Sequence, residues 1–483
     1  MRTTYIYRAI LLLVLCLEAS YGQVDPPIFI GDQRELFVDR FLIENLESAR
    51  LKMHPPIDEG QVFYFDKPWE GAFSAYVTII HDGEVFRAYY RGVPTAGKDG
   101  NEAEVTCYAE SRDGIEWHKP SLGIHEVNGV RDTNVILANA APITHNFSPF
   151  LDKNPHAKGS EKFKALGGTS QSGLVAFVSS DGLNWKKLKE EPVFTQGVFD
   201  SQNVAFWSEK EKMYVCYFRT WTEGGYKGFR SVSRTTSKDF VHWTDPEPMG
   251  FGDKPYEHLY TQQTSPYFRA PHIYLAIGAR FMPNRKVVSD EEAALLNVNP
   301  KYYNDCSDVV LMSSRGGSGY DREFMESFIR PGVGLQNWVS RSNYPALNVV
   351  QTGAHELSIY VNQDYAQPTA HLRRYSLRLD GFASLSAGYE GGEMLTKSFI
   401  FKGESLELNF STSAAGEVRI ELTDVEGNAL PGFSLEDAQP LIGNEISRKV
   451  YWNGSSDVSA LAGRPIKMRI LLKDADLYAF RFQ

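Results

Sequence analysis

The sequence predicts an all-β protein, a five-bladed β-propeller followed by a C-terminal β-sandwich. Three observations carry this. A short phrase recurs along the chain: Ser111-Arg-Asp113-Gly114-Ile-Glu-Trp117, Ser179-Ser-Asp181-Gly182-Leu-Asn-Trp185 and Ser237-Lys-Asp239-Phe-Val-His-Trp243. A degraded copy lies at Ser313–Tyr320 and a fifth at Arg378-Leu-Asp380-Gly381-Phe382, so successive copies start 68, 58, 76 and 65 residues apart. Between copies the chain breaks into short alternating runs separated by turn signals such as Asp82-Gly83. Near residue 386 the phrase stops while the strand texture continues.

Four strands per unit, repeated five times, is the sequence pattern of a propeller. In the first unit the runs are Ala75–Ile80, Val85–Arg91 and Glu104–Glu110; in the third, Asn203–Trp207, Lys212–Arg219 and Gly228–Thr235. The Asp of each phrase can accept bonds from its own backbone two residues on, and the Trp can pack between blades, so the phrase reads as a structural turn. Ser289-Asp-Glu-Glu292-Ala-Ala-Leu-Leu carries a helix-start signal and marks an insert in the long fourth unit. Beyond Gly388-Tyr-Glu-Gly-Gly392, non-repeating runs from Thr396–Phe401 to Tyr478–Phe482 predict the sandwich. The division is thus 1–22 for export, 23–385 for the propeller and 386–483 for the sandwich.

The export reading rests on Arg2 and Arg8, the apolar run Ala9–Leu17, and small residues ending at Gly22: a secretory signal peptide cut near Gly22, placing the protein in the periplasm or outside the cell. No later segment is apolar for long enough to span a membrane as a helix. The 483 residues carry a formal charge of −10, which does not attract a phosphate backbone, so nucleic acid is not an expected partner. Of the four cysteines, Cys16 would leave with the signal peptide; Cys107, Cys216 and Cys306 remain, an odd number, and the first two sit in strand-like runs as small buried hydrophobes. With no CxxC and no Cys/His cluster, zinc is not indicated. Asn146, Asn409 and Asn453 head glycosylation sequons.

The recurring phrases, with the C-terminal sandwich, resemble the clans of family 32 and family 43 glycoside hydrolases. Glu35-Leu-Phe-Val-Asp-Arg-Phe-Leu-Ile43, His145-Asn-Phe-Ser-Pro-Phe-Leu-Asp152 and Phe199-Asp-Ser-Gln-Asn203 resemble, more closely, a group of secreted, uncharacterised bacterial relatives of those hydrolases. The resemblance implies a secreted hydrolase of glycosidic bonds with a carbohydrate substrate and no required cofactor; a structural calcium is left open but unsupported by the sequence. The Asn-Asp-Pro, Arg-Asp-Pro and Glu-Cys blocks of family 32 are missing, so no catalytic triad carries over. The sialidase Asp box, with its different spacing, does not fit either.

Candidate residues come instead from aligning the units where inner strands begin around the channel. Those positions offer Trp69-Glu70, His145-Asn146, Asp200-Ser-Gln202-Asn203, Glu257-His258-Leu-Tyr260 and Arg341-Ser-Asn343-Tyr344. Glycoside hydrolysis needs a carboxyl group that protonates the leaving oxygen and a carboxylate for water or the anomeric carbon. Asp200, Glu257 and Glu70 are the expected catalytic carboxylates, with acid and base unassigned. His145, Asn146, Gln202, Asn203, His258, Tyr260, Arg341, Asn343, Arg91 and Trp69 are the expected substrate contacts. Glu104, Arg269, His272 and Asp308 are weaker candidates, and an arginine such as Arg341 or Arg269 suits an acidic sugar. The small mouth suggests exo action on a plant or algal poly- or oligosaccharide. A non-catalytic carbohydrate-binding propeller and a polysaccharide lyase are the alternatives.

Overall fold

The computed structural model describes residues 26–483; the expected signal peptide lies outside them. Five antiparallel sheets succeed one another. The first runs Ala75–His81, Phe86–Gly92, Val105–Ser111, with Trp117–His118 and Val135–Leu137 both on the third strand. The second is Ser148–Leu151, Phe163–Thr169, Gly173–Ser179 and Lys186–Lys187, and the third Val204–Ser208, Met213–Trp221, Arg230–Ser237 and Glu247–Pro248. The fourth packs Thr264–Tyr267, Ala270–Met282 and Cys306–Ser314, with Leu259–Thr261 extending its inner edge. The fifth is Tyr344–Pro345, Glu356–Gln363 and His371–Arg378, but its outer strand is Ile57–Tyr64 from before the first blade. The ring is therefore closed by strand pairing between distant parts of the chain. A second closure is internal: Ile79 N–H donates to Leu347 C=O at 3.0 Å and Leu347 N–H to Val77 C=O at 2.8 Å, joining the inner strands of blades one and five.

Each junction between blades has its own apolar cluster, because every sheet buries both faces. Tyr89, Tyr108, Phe147 and Phe163 fill the junction of blades one and two; Phe150, Phe199, Phe218 and Phe240 fill that of two and three. Tyr217, Tyr274 and Tyr320 serve blades three and four, and Tyr360 with Phe63 and Tyr90 serves five and one. This is where the aromatic surplus of the sequence goes.

The recurring phrase is the turn from third to fourth strand. Ser111 Oγ accepts the Gly114 N–H at 2.9 Å, and Asp113 Oδ1 accepts those of Ile115 and Glu116 at 2.8 and 2.9 Å. Ser179 and Asp181 repeat the pattern. Gly114 and Gly182 hold φ of +76° and +77°, and Phe240 takes the same conformation at +66° in the third copy. Trp117 meets Tyr360 of the fifth blade edge-on at 5.6 Å, and Trp185 meets Tyr89 of the first at 6.4 Å. The phrase is structural, as its residue types predict. The helix expected after Ser289 is Asp290–Leu295, closed by a Ser289/Glu292 capping box.

The C-terminal unit folds as one sheet bent into two layers. Leu406–Thr423 and Lys467–Phe482 pair along most of their length, with a register break between Thr412 and Glu417. Both halves face one core around Phe401, Leu408, Phe410, Ile420, Trp452, Ile470 and Phe482. Strand pairing moves the boundary expected at 23–385. Arg34–Leu36, Ile43–Glu47 and Ala49–Met53 pair with Lys467–Phe482, Gly392–Thr396 and Ala383–Ala387, so residues 34–53 of the lead complete the C-terminal sheet and Ile57–Tyr64 alone joins the propeller. The lead has no repeated phrase to betray this, and its partners lie over 300 residues away. Cys107, Cys216 and Cys306 are buried free thiols. No helix among the described residues is long and apolar enough to cross a membrane.

Candidate functional site

The inner strands start around one end of the channel, and there a cavity of about 120 Å³ opens. Its walls are Phe73, Tyr76, Arg91, Asp200, Tyr260, Tyr302, Arg341 and Tyr365, with the loop 95–101 and Glu104 on one side. The channel is closed by amides between this cavity and the apolar cavity of about 550 Å³ at its far end. Gln263 Nε2 donates to Gln202 Oε1 at 2.6 Å, and Gln202 Nε2 donates to Thr78 Oγ1 at 2.6 Å.

Strained backbone aims several of these side chains. Tyr76, Asn146, Arg341 and Asn343 have φ of +57°, +49°, +60° and +61°. A left-handed conformation is costly for a bulky residue and concentrates at functional sites.

Asp200 is a lining carboxylate reached by solvent, its side chain 28% exposed, and it is ion-paired with Arg219 Nη1. Arg219 Nη2 also donates to the Tyr260 carbonyl at 2.8 Å, and its guanidinium lies 4.2 Å from the Tyr260 ring centre. Glu104 is buried and bonded to His145 Nδ1 at 3.0 Å and to the Gly100 N–H at 3.1 Å. Burial pushes its acidity down, but the His145 bond, the Arg91 charge and the Gly100 N–H outweigh that and hold the carboxyl below its usual range. Asn146 Nδ2 donates to His145 Nε2 at 2.9 Å, which makes Nδ1 the donor to Glu104. Asn146 Oδ1 then accepts from Arg91 at 3.4 Å, and Arg91 also donates to the Phe73 carbonyl at 3.0 Å and to the Tyr365 hydroxyl at 3.4 Å. Burial raises Tyr76, Tyr344 and Tyr365, with neighbouring tyrosines adding to it at Tyr76 and Tyr344, so these hydroxyls stay protonated at neutral pH.

Of the residues expected from the sequence, Asp200, Tyr260, Arg341 and Arg91 line this cavity, as does the weaker candidate Glu104. His145 and Asn146 stand behind its wall and orient Glu104 and Arg91. Gln202, Asn203 and Asn343 are buried deeper, where Asn343 Nδ2 donates to the Ser307 and Asn337 carbonyls at 3.0 Å. Asn146, at 1% exposure, and Asn409, fully buried, present no amide for a glycan.

Other expected residues lie elsewhere. Glu70 is fully buried: Tyr90 donates to it at 2.6 Å, the Lys67 N–H at 3.1 Å, and Lys119 Nζ pairs with it at 2.5 Å. That network pins the approach to the first blade, and Trp69 belongs to it through Asn134 at 2.7 Å. Glu257 is held by Arg280 at 2.8 Å and Arg322 at 3.0 Å, with Asp308 on the same Arg280. Arg280 and Phe281 point to opposite faces of their strand; Phe281 packs on Tyr260 at 5.3 Å, which leaves Glu257 on the other side. His258 accepts the Arg230 N–H at 3.1 Å against Phe229 and does not line the cavity. Arg269 and His272 join the two units, bonded to Asp380 and Glu35.

Tyr76, Tyr302, Tyr365, Arg219 and Arg230 were not among the expected contacts. The parallel phrases Tyr89-Tyr90-Arg91 and Tyr217-Phe218-Arg219, at equivalent ends of second strands, are the signal that points to Arg219. Tyr302 comes from the insert, whose path no repeat foretells.

No family model matches the chain, and no curated protein matches it. Solved structures similar to it include an N-acetylgalactosamine deacetylase from F. plautii in complex with blood group B trisaccharide, 12% identical over 68% of this chain and 94% of that one, TM-score 0.44. A structure described as a glycoside hydrolase is 10% identical over 67% and 92%, TM-score 0.44. A GH32 β-fructofuranosidase from Bombyx mori is 10% identical over 89% and 94%, TM-score 0.41. The structural neighbours thus include glycoside hydrolases, and what this chain does has to be argued from its own cavity.

Proposed function

We propose that the protein is an exported glycoside hydrolase that acts from the end of a poly- or oligosaccharide, with Asp200 as a reacting carboxylate. The observation that carries this is the placement of Asp200: a partly exposed carboxylate, fixed by Arg219, in a blind tyrosine-walled cavity. At about 120 Å³ the cavity is smaller than the ~300–1,000 Å³ typical of drug-sized ligands, which suits one terminal unit. Asp200 would face the anomeric carbon or the water that attacks it, Arg219 holding the carboxylate in place. The aromatic rings offer faces for a sugar ring. The test is a glycan panel assayed for released sugar with the wild type and Asp200→Asn. Activity in the wild type that the variant lacks supports the reading; equal activity removes Asp200 from the mechanism.

One observation favours a second reading, β-elimination from a uronate. Glu104 is held ionised, which makes it a poor acid for a leaving oxygen, while guanidiniums fit to neutralise a uronate carboxylate are abundant at the same wall. An ultraviolet-absorbing unsaturated product would select that reaction, and binding without any product would select a carbohydrate-binding propeller.

A further inference from the structure

We infer that the mouth is built for an acidic sugar, a carboxylate or sulfate ester held by Arg341 together with Arg91. This rests on the reading of the cavity as the substrate site and names the class of substrate that enters it. Four guanidiniums gather there. Arg91 and Arg341 line the cavity, and Arg219 and Arg230 pack on the ring of Tyr260, 4.2 and 5.4 Å from its centre. They meet two buried or half-buried carboxylates, Asp200 and Glu104, and each of those is already engaged, by Arg219 and by His145. On the exposed rim, Lys98 and Asp99 add one charge of each sign.

Arg341 has neither an ion pair nor a hydrogen bond among the described residues. Its guanidinium is sandwiched by rings, 4.8 Å from Tyr302 and 5.5 Å from Tyr260. Arg230 is likewise without an acceptor, stacked on Trp221 at 4.6 Å and Phe281 at 4.8 Å. The buried Nε groups of Arg91, Arg219, Arg230 and Arg341, and the Tyr344 hydroxyl, have no hydrogen-bond partner. What is unpaired on this wall is a set of donors. Ring faces offset part of the charge, but a guanidinium withdrawn from water with no anion beside it is costly. A ligand that brings acceptor oxygens and negative charge relieves that cost; a neutral sugar, whose hydroxyls are donors as well as acceptors, does so less well. The planar fork of arginine fits carboxylate and sulfate oxygens alike. The cluster is local, since the whole chain is acidic at −10.

Binding is measured by calorimetry on the purified protein with sodium glucuronate, glucose 6-sulfate, inorganic sulfate and glucose. The proteins are the wild type, Arg341→Gln, Arg341→Lys and Asp200→Asn, each checked for an unchanged melting temperature. At least one acidic sugar is expected to bind about tenfold or more tighter than glucose, the scale of one charge-assisted hydrogen bond. Added salt weakens that binding and not that of glucose, a readout that needs no variant. Arg341→Gln loses the preference and Arg341→Lys restores part of it. Glucuronate and the sulfated sugar tell carboxylate from sulfate, and inorganic sulfate alone shows whether the sugar ring contributes. Asp200→Asn keeps or strengthens acidic-sugar binding while abolishing turnover, so the two readings fail separately. Preference without hydrolysis sinks the hydrolase and leaves the anion site. Equal binding of glucose and the acidic sugars, binding of neither, or Arg341→Gln behaving as wild type overturns the anion site.

Discussion

Two clusters of arginine, one at the channel mouth and one at the joint with the C-terminal unit, differ in how their charges are met. Where the lead segment crosses from the C-terminal sheet to the propeller, Arg34, Arg269 and Arg315 each have a carboxylate within ion-pair distance. Arg269 Nε donates to Asp380 at 2.9 Å with Arg34 at 3.6 Å from the same side chain, and Arg315 pairs with Glu35 at 2.8 Å and Asp39 at 2.7 Å. Asp380 also accepts from Tyr267 at 2.8 Å and Asn409 at 3.0 Å, so both its oxygens are satisfied. Among the described residues, Arg219 is the one mouth arginine with a carboxylate within ion-pair distance, and the others rest on aromatic rings. A network of paired charges fixes one arrangement of two units; guanidiniums without a counter-charge leave donors for something else to complete. The first is a joint and the second is where we propose that an anionic sugar binds, although the residue types are the same.

The difference can be broken at either end. The largest effect belongs to the mouth: Asp200→Asn lowers kcat by about 10²–10⁴-fold, the usual worth of a positioned acid–base group, with no loss in melting temperature beyond that of a half-exposed ion pair. An unchanged kcat would put the chemistry elsewhere. At the joint, Asp380→Ala strands Arg34 and Arg269 and costs about 3–5 kcal/mol in denaturant unfolding, as removal of one partner from a buried pair does. Catalysis per folded molecule stays unaltered. Away from both, Ser179→Ala removes the acceptor for the buried Gly182 N–H and costs about 1–2 kcal/mol, which a melting curve reads as a loosened second blade.

The smallest effect is a matter of pH. Beside the joint, burial and then the charges of Asp39 and Glu323 push Asp321 from 3.8 up to about 6. The folded chain therefore holds this proton where the unfolded chain has released it, so stability is full below about pH 4 and declines as pH rises through about 6. Asp321→Asn removes that decline. Measured by unfolding from pH 4 to 8, the variant should gain on the wild type as pH rises; parallel curves would show that Asp321 does not carry the effect.

The blades were legible because each is a local object. The Ser-x-Asp turn needs only residues within seven positions, and its hydroxyl, carboxylate and positive φ are written into Ser179, Asp181 and Gly182. Short alternating runs told strand from helix for the same reason. That Asp200, Tyr260 and Arg341 come to one cavity was legible because repeats align, and aligned starts of inner strands must converge on one axis. Glu70 and Glu257 stood at equally suitable positions and were drawn away by Lys119 and by Arg280 and Arg322, partners about 50, 23 and 65 residues distant. Nothing local distinguishes a carboxylate that has such a partner from one that lacks it.

The sequence by itself determined the number of blades, their turns, the β character of the C-terminal unit and the polar ring from which a site must be drawn. Those follow from periodicity, turn chemistry and repetition, which are properties of neighbours along the chain. Tertiary structure alone decided that Ile57–Tyr64 closes the fifth blade, that the lead segment finishes the C-terminal sheet, and which charges are neutralised. Each of these is a pairing across hundreds of residues, set by which backbone edge or counter-charge is left unsatisfied once the blades have formed.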